Sequence, residues 1–400
     1  MTRCERAAWL LVVVCAGCGN DPANPGLTGA GASGSAEGGS SGRGGSAGSP
    51  GGSSSQAGSA PVTAPSVRWV GRVDTGDSEA PRFAWSGSGF VATVSGSSIS
   101  LKLKSVGTSD PVFFQPVIDG KPGARFSVPN GERTITVGSG LRDGDHAVEL
   151  YRETEGKYGH SVFEGFTEGT LKAPPAGQSR LIEIIGDSIS AGFGNLGSEE
   201  HPNYGSDPNG GCTFTTETES AYNTYGAIAA RRLDADASIV AVSGWGAYRD
   251  NSNDTAAVLS SVYENALGLV ATPAWSFGRK ADVVVINLGT NDFAAGDPGE
   301  TEFKTAYSSL IASIRDKYPE AWIFCMLGPM LYDAGLTQAI AYTTAIVSEH
   351  NAAGDSRVEL LNFGTQNTSL GTGCEYHPNV TVQTAMADQL VSAIEGALGW

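Results

Sequence analysis

The stretch Leu181-Ile182-Glu183-Ile184-Ile185-Gly186-Asp187-Ser188-Ile189-Ser190 decides the fold of the C-terminal half of this chain. An apolar run that ends at a glycine turn predicts a buried strand followed by a helix. The same alternation continues to the C-terminus, which predicts an α/β fold with a mostly parallel sheet and helices on both faces. Further strands are predicted at 238–242, 281–288, 322–327 and 358–361, and helices at 219–233, 301–317, 337–349 and 380–398.

The preceding segment, residues 66–174, has the periodicity of β-structure. Ile99, Leu101 and Leu103 alternate with polar residues, which is the pattern of a half-buried strand. Short strand candidates at 90–94, 133–137 and 147–151 are separated by Gly, Asp and Pro turns. This spacing predicts an all-β sandwich or jelly-roll domain ahead of an α/β domain at 175–400. The β-rich segment shows no catalytic constellation of its own.

The N-terminus predicts export and a lipid anchor. Arg3 and Arg6 precede an apolar stretch at 7–14 that is too short to span a bilayer, as in a signal peptide. The stretch runs into Cys15-Ala16-Gly17-Cys18, which resembles a bacterial lipobox. We therefore interpret residues 1–18 as a lipoprotein signal and lipobox, with Cys18 as the acylated residue. The alternative is an ordinary cleavage site beside an incidental cysteine.

Residues 19–65 are predicted to form a flexible tether. Between 29 and 60, 28 of 32 residues are Gly, Ser or Ala, and such a composition cannot bury a core. Gly19, rather than Asp, is compatible with outer-membrane sorting by analogy with known lipoproteins. We therefore expect an exported outer-membrane or cell-surface lipoprotein that touches the membrane only through the lipid on Cys18.

Composition narrows the choice of partners. Lys and Arg number 25 against 42 Asp and Glu, a formal net charge of −17, which argues against nucleic acid or an anionic membrane surface. No apolar run reaches the length of about 18 residues that a spanning helix needs. The five histidines show no metal-ligand spacing. We expect no metal, no cofactor and a monomer.

Polar residues follow the predicted parallel strands, where an active site of an open α/β sheet lies. The first strand runs into Gly186-Asp187-Ser188, and the second into Ser243-Gly244-Trp245. The third ends at Gly289-Thr290-Asn291-Asp292, and Tyr376-His377-Pro378 precedes the last helix. Each motif alone is explained equally well by a turn or a helix cap. Their occurrence in this order is the informative feature.

The ordered set resembles the SGNH (GDSL-type) hydrolases, which implies a flavodoxin-like α/β domain. Together with the β-sandwich, the chain from about 66 to 400 resembles carbohydrate esterase family 2, whose members remove acetyl groups from xylan and related plant polysaccharides. The segments that carry this second likeness are Arg82-Phe83-Ala84-Trp85, 160–166, 185–189, 212–219, 225–231 and Leu327-Gly328-Pro329-Met330-Leu331.

The resemblance implies a serine esterase mechanism. Ser188 would be the nucleophile and His377 its base, and the backbone N–H groups of Ser188 and Gly244 with the Asn291 amide would hold the oxyanion. One departure matters: the Asp that usually stands three residues before the histidine is Cys374 here. We favour a dyad in which a main-chain carbonyl orients His377, and Glu375 is the alternative third member.

Three cysteines remain once the leader and Cys18 are set aside. Cys325 lies in an apolar strand and is interpreted as a buried free thiol. Cys212 and Cys374 lie in loops of the predicted site of an exported protein, where disulfides persist. We favour a disulfide between them, and two free thiols are the alternative.

Three functions remain open on the sequence alone. The preferred one is removal of acetyl groups from an acetylated polysaccharide or oligosaccharide of the xylan or mannan type. The aromatic residues of the loops suit stacking on sugars: Trp245, Tyr248, Tyr332 and Tyr376. The alternatives are a GDSL lipase or aryl-esterase, and a non-catalytic carbohydrate-binding surface lipoprotein.

Overall fold

A computed structural model of the chain describes residues 66–107, 110–198, 205–207 and 211–400. The predicted signal and lipobox with Cys18, and the predicted tether at 19–65, lie outside these residues. The described residues belong to one packed unit, in which a β-rich domain is followed by an α/β domain. In the part of the chain that the structure describes, no helix has the length and apolar character needed to cross a membrane.

The β-rich domain is an antiparallel assembly organised around one long strand, β4. Its first half pairs with β9 and its second half with β8 and β10, so residues 90–94 and 99–103 lie in one strand rather than two. The described strands are β1 Arg68–Val70, β2 Val73–Asp74, β3 Arg82–Phe83, β4 Gly89–Val106, β5 Val112–Ile118, β6 Lys121–Pro122, β7 Phe126–Val128, β8 Gly131–Ser139, β9 Asp145–Arg152 and β10 His160–Leu171.

The α/β domain contains a five-stranded parallel sheet in the order β12-β11-β15-β16-β17. Its strands are β11 Arg180–Gly186, β12 Ala235–Ala241, β15 Val283–Asn287, β16 Trp322–Leu327 and β17 Val358–Asn362. A separate antiparallel pair is formed by β13 Asn265–Leu267 and β14 Val270–Ala274. Every residue of β15 is buried, as expected for a strand that is covered on both faces.

Helices cover both faces of this sheet, which confirms the predicted fold class. They are α1 Ser188–Ala191, α2 Tyr225–Arg232, α3 Glu300–Lys317, α4 Asp333–Ala352 and α5 Val380–Leu398. Apolar residues of α3 and α4 pack in one core with Ile286, and those of α2 and α5 pack in another with Val285. Adjacent residues of one strand therefore point into opposite cores, as the period of two requires.

The helix predicted at 219–233 begins only at Tyr225, so its first turns were predicted wrongly. Two short 3₁₀ turns, Thr216–Thr218 and Ala221–Asn223, precede it. The N–H of Ala221 donates to the Glu153 carbonyl, and the N–H of Tyr222 donates to the Glu153 side chain. These contacts accompany an extended backbone at Glu219, Ser220 and Thr224, which no helix can include, and Thr224 caps α2.

Buried ion pairs join the two domains. Arg72 of the β-rich domain lies 3.1 Å from the Glu183 carboxylate in the middle of β11, and both side chains are buried. Arg68 reaches both oxygens of Asp236 on β12 at 3.0 and 2.9 Å. The buried Glu183 carboxylate without Arg72 would be strongly destabilising, so this pair fixes how the domains pack.

Candidate active site

Ser188 lies at the end of β11, on the tight turn that begins α1. Asp187 caps this helix, since its Oδ1 accepts the Ile189 N–H at 3.0 Å, and Gly192 ends it in a left-handed conformation. A Cβ at Gly186 would lie 2.1 Å from Ser190 Oγ, so the turn admits only glycine there. Ser188 is only 6% exposed, which limits access to its hydroxyl.

His377 contacts Ser188 directly. Its Nε2 lies 2.8 Å from Ser188 Oγ, and its Nδ1 lies 3.0 Å from the main-chain carbonyl oxygen of Glu375. A carbonyl oxygen only accepts hydrogen bonds, so Nδ1 must carry the ring proton. The lone pair of Nε2 then faces the serine hydroxyl, which is the arrangement that a general base requires.

The carbonyl of Glu375 reaches His377 because the backbone before the histidine is left-handed. Glu375 has φ 49° and Tyr376 has φ 62°, a conformation that costs a non-glycine residue of the order of 1 kcal/mol. The Glu375 carboxylate lies elsewhere and accepts the Phe214 N–H at 3.1 Å. The structure therefore places the carbonyl of Glu375, and not its side chain, against the imidazole.

A disulfide joins Cys212 to Cys374, 162 residues apart. It ties the loop that carries Phe214 to the turn that carries His377, and the Glu375 N–H donates to the Cys212 carbonyl at 3.0 Å. The Cys374 N–H donates to Gly194, just after α1, at 2.9 Å. Cys325 is free and buried, and burial raises the pKa of its thiol to about 12.

An aromatic stack that the sequence analysis did not select packs on the imidazole through Phe193. The Phe193 ring centroid lies 4.5 Å from that of His377, and the Phe214 ring stacks on Phe193 at 3.7 Å. Burial lowers the pKa of His377 to about 4, although its hydrogen bond to the Glu375 carbonyl acts in the opposite direction. The imidazole is therefore neutral at neutral pH. The sequence feature that could have pointed to Phe193 is its position only five residues after Ser188.

The turn at Ser243-Gly244 and the Asn291 side chain lie beside the nucleophile turn. Gly244 has φ 88°, and no described residue accepts its N–H. Asn291 Nδ2 donates to the Trp245 carbonyl at 2.9 Å and lies 3.3 Å from Asp187 Oδ2. Asn291 thus connects the end of β11 to the loop after β12. An oxyanion at this place would compete with Asp187 Oδ2, 3.3 Å away, for the amide N–H of Asn291.

Two buried carboxyl groups organise these loops. Asp292 accepts the N–H groups of Ala247, Tyr248 and Arg249 at 3.0, 2.7 and 3.2 Å, which fixes the loop after Gly244. Asp187 is fully buried, and that burial raises its pKa to about 7 despite the N–H of Ile189. Asp187 therefore titrates near neutral pH, next to the serine.

The four aromatic residues predicted to bind sugar differ in exposure. Trp245 and Tyr248 are half-buried and pack against the core under α3 and α4, whereas Tyr332 is 62% and Tyr376 is 37% exposed. Within the described ranges, none of the four stacks on another. Tyr376 adjoins His377 in sequence.

Comparison with protein families gives two matches that together cover most of the described chain. Residues 69–175 match the carbohydrate esterase 2 N-terminal domain, and residues 184–383 match the GDSL-like lipase/acylhydrolase family. A solved family two carbohydrate esterase from Clostridium thermocellum, in complex with cellohexaose, is 36% identical and superposes with a TM-score of 0.78. The match covers 84% of this chain and 100% of that one. The chain belongs to carbohydrate esterase family 2.

Two relatives carry names that include more than one activity. The cellulase/esterase CelE of Acetivibrio thermocellus is 37% identical over 84% of this chain, which spans only 40% of that protein. An acetylxylan esterase/glucomannan deacetylase of Cellvibrio japonicus is 24% identical, and the match covers 84% of this chain and 90% of that protein. The predicted resemblance to family 2 carbohydrate esterases with a GDSL-type domain is therefore confirmed.

Proposed function

We propose that this family 2 carbohydrate esterase removes O-acetyl groups from plant polysaccharide through an acetyl-enzyme on Ser188. The observation that carries the proposal is the 2.8 Å contact between Ser188 Oγ and Nε2 of a neutral His377. Acetylated xylan and mannan-type chains are the proposed substrates, because relatives are named for acetylxylan and glucomannan and one binds cellohexaose. Tyr376 and Tyr332 offer exposed rings on which sugars would stack.

The chemistry proceeds in two steps. In the first, Ser188 Oγ attacks the acetyl carbonyl carbon while His377 Nε2 takes the hydroxyl proton. The N–H groups of Ser188 and Gly244 and the Asn291 amide hold the oxyanion, each contributing of the order of 3 kcal/mol. The tetrahedral species collapses, the bond to the sugar oxygen breaks, and His377 protonates that oxygen.

In the second step water replaces the sugar. His377 takes a proton from the water as its oxygen attacks the acetyl-enzyme carbonyl, and the proton then goes to Ser188 Oγ as acetate leaves. The Glu375 carbonyl keeps the ring proton on Nδ1 throughout, so Nε2 is always the nitrogen that exchanges protons. Ser188 and His377 therefore act as a dyad, and no carboxylate is needed as a third catalytic residue.

The proposed setting is outside the cell. We propose that Cys18 carries a lipid and that residues 19–65 tether a monomeric enzyme at an outer-membrane or cell surface. These positions lie outside the described residues, so the support is the sequence pattern alone. Metabolic labelling with a fatty acid probe, compared between the wild-type chain and Cys18→Ser, tests the anchor directly.

The decisive experiment measures acetate release from acetylated xylan and acetylated glucomannan, with p-nitrophenyl butyrate as a second substrate. Ser188→Ala should abolish acetate release and leave pull-down on insoluble polysaccharide unchanged. Ser190→Ala is the matched control, because this neighbouring hydroxyl bonds to Tyr225 rather than to His377. A marked preference for the butyrate ester would indicate a lipase or aryl-esterase, and polysaccharide binding without acetate release would indicate a non-catalytic protein.

A further inference from the structure

The segment 153–159 of the β-rich domain reaches the Ser243-Gly244 turn of the α/β domain. Glu155 is completely buried, and its carboxylate accepts the Ser243 N–H at 2.7 Å and also the Ser243 hydroxyl. We propose that Glu155 is a positioning residue of the esterase, which holds Ser243 so that the next N–H, that of Gly244, faces the oxyanion. This inference rests on the proposed function.

Glu155 is presented by a rigid segment. Arg152 is completely buried and donates to the carbonyls of Thr154 at 2.8 Å, Glu155 at 3.0 Å and Gly159 at 3.0 Å. Burial lowers the pKa of this guanidinium to about 9, so it remains charged at neutral pH. The charged guanidinium of Arg152 binds three backbone carbonyls and so holds the backbone around Glu155 in a single conformation before substrate binds.

A second buried carboxyl group lies beside Glu155. Glu219, just ahead of α2, has an Oε2 that lies 3.4 Å from the Glu155 N–H. Burial raises the pKa of Glu219 well above its ordinary value, and the charge of Glu155 adds to the rise. Glu155 pairs with Lys157 at 3.0 Å, which compensates a charge on its carboxylate.

Lys157 extends the influence of the segment to the base. Its Nζ lies 5.4 Å from the centroid of the Phe193 ring, which packs on His377, and 5.7 Å from that of the Phe214 ring, which stacks on Phe193. One segment of the β-rich domain therefore contacts the Ser243-Gly244 turn through Glu155 and the aromatic rings beside His377 through Lys157. It follows that this domain serves the acetyl-transfer chemistry itself, including reactions on substrates too small to need a sugar-binding surface.

The test uses the full chain and p-nitrophenyl acetate, whose small size separates catalysis from polysaccharide binding. Glu155→Ala should lower kcat by about tenfold to a hundredfold, the cost of misplacing a catalytic donor by about 1 Å, with KM within about twofold. Glu155→Gln should recover part of the loss, since its amide can accept from the Ser243 N–H and donate to Ser243 Oγ. Ser243→Ala on top of Glu155→Ala should add little.

The matched control is Glu183→Gln. Glu183 is also buried and also pairs with an arginine of the β-rich domain, but it lies in the middle of β11, away from the turn. The Glu183→Gln variant should have a lower unfolding temperature, and the kcat of the folded enzyme should be unchanged. If Glu155→Ala does not fold, Glu155→Gln takes its place, with a loss in kcat of about threefold to tenfold at constant KM.

Two results would overturn the inference. One is a kcat of folded Glu155→Ala, or of Glu155→Gln in its place, that equals the wild-type value. The other is an equal kcat loss in Glu183→Gln, which would mean that any weakening of the domain junction lowers activity. An active wild type with an inactive Ser188→Ala would keep the proposed function in either case, whereas a wild type without acetate release would remove both.

Discussion

Lowering the pH should reveal that His377 is a weaker base than an ordinary histidine. Burial under Phe193 and Phe214 lowers its pKa to about 4, so the base-competent neutral form persists in mild acid. At about pH 5, an imidazole with the usual pKa of 6.5 would be only about 3% neutral, whereas this one would be about 90% neutral, roughly a thirtyfold difference. Activity should therefore be lost only as the pH falls through about 4.

The assay is kcat/KM on a neutral acetyl ester from about pH 3.5 to about pH 6.5, which reports ionisations of the free enzyme. Asp187 titrates near pH 7 and is only about one quarter ionised at the upper end of this window, whereas His377 titrates near its lower end. Phe193→Ala should admit water to the imidazole and move the acid limb upward by about one pH unit, because desolvation causes the shift. Circular dichroism should show an intact fold over the same pH range, which excludes acid unfolding as the cause of the loss.

Phe166→Ala is the control for loss of an aromatic ring. Phe166 is a half-buried ring of the β-rich domain that packs on Phe90 and Phe163. It should lower stability and leave the acid limb in place. A wild-type limb near pH 6.5 would refute the reasoning about burial, and so would a Phe193→Ala limb that coincides with that of the wild type.

Three further substitutions test the site. Glu375→Gln should change kcat by less than about threefold, since its carbonyl orients His377; a thousandfold loss would instead make the side chain a third member. Asn291→Ala should lower kcat about a hundredfold or more at similar KM, the cost of one oxyanion donor, and an unchanged kcat would remove Asn291 from that role. Cys374→Ser should lower kcat at temperatures well below unfolding, as judged by circular dichroism; activity that falls only together with the fold would make the disulfide purely structural.

The order of strands and helices in the α/β domain was predictable because parallel strands with both faces buried are continuous apolar runs. The run 283–287 is the clearest case, and it is buried throughout. The start of α2 was not predictable from its own sequence. Glu153, about 70 residues earlier, accepts the N–H groups of Ala221 and Tyr222 and holds this segment against the β-rich domain, where the backbone at Ser220 is extended. A contact between domains decides that boundary, and local periodicity carries no trace of it.

The same distinction applies to the site. The turns after the parallel strands were expected to meet at one edge of the sheet, and the resemblance to the SGNH hydrolases gave Ser188, Asn291 and His377 their roles. The structure brings these three residues together. Glu155 was missed because the β-rich segment was searched for a constellation of its own. Its carboxylate acts across the domain boundary on Ser243, so no spacing within either domain points to it.

Cys374 and the partner of His377 belong to one arrangement, in which no carboxylate at Nδ1 opposes the burial that lowers the pKa of His377. In place of the carboxylate that the SGNH resemblance leads one to expect, His377 has a neutral carbonyl at 3.0 Å from Nδ1. A carboxylate would stabilise the imidazolium and raise the pKa, whereas a carbonyl fixes the tautomer without supplying a full charge. The carbonyl must be turned toward the ring by two left-handed residues, Glu375 and Tyr376, which is a strained backbone. The disulfide at Cys374 anchors the start of that strained turn. Cys374 therefore takes the position of the usual acid, because it holds in place the carbonyl that orients His377 instead.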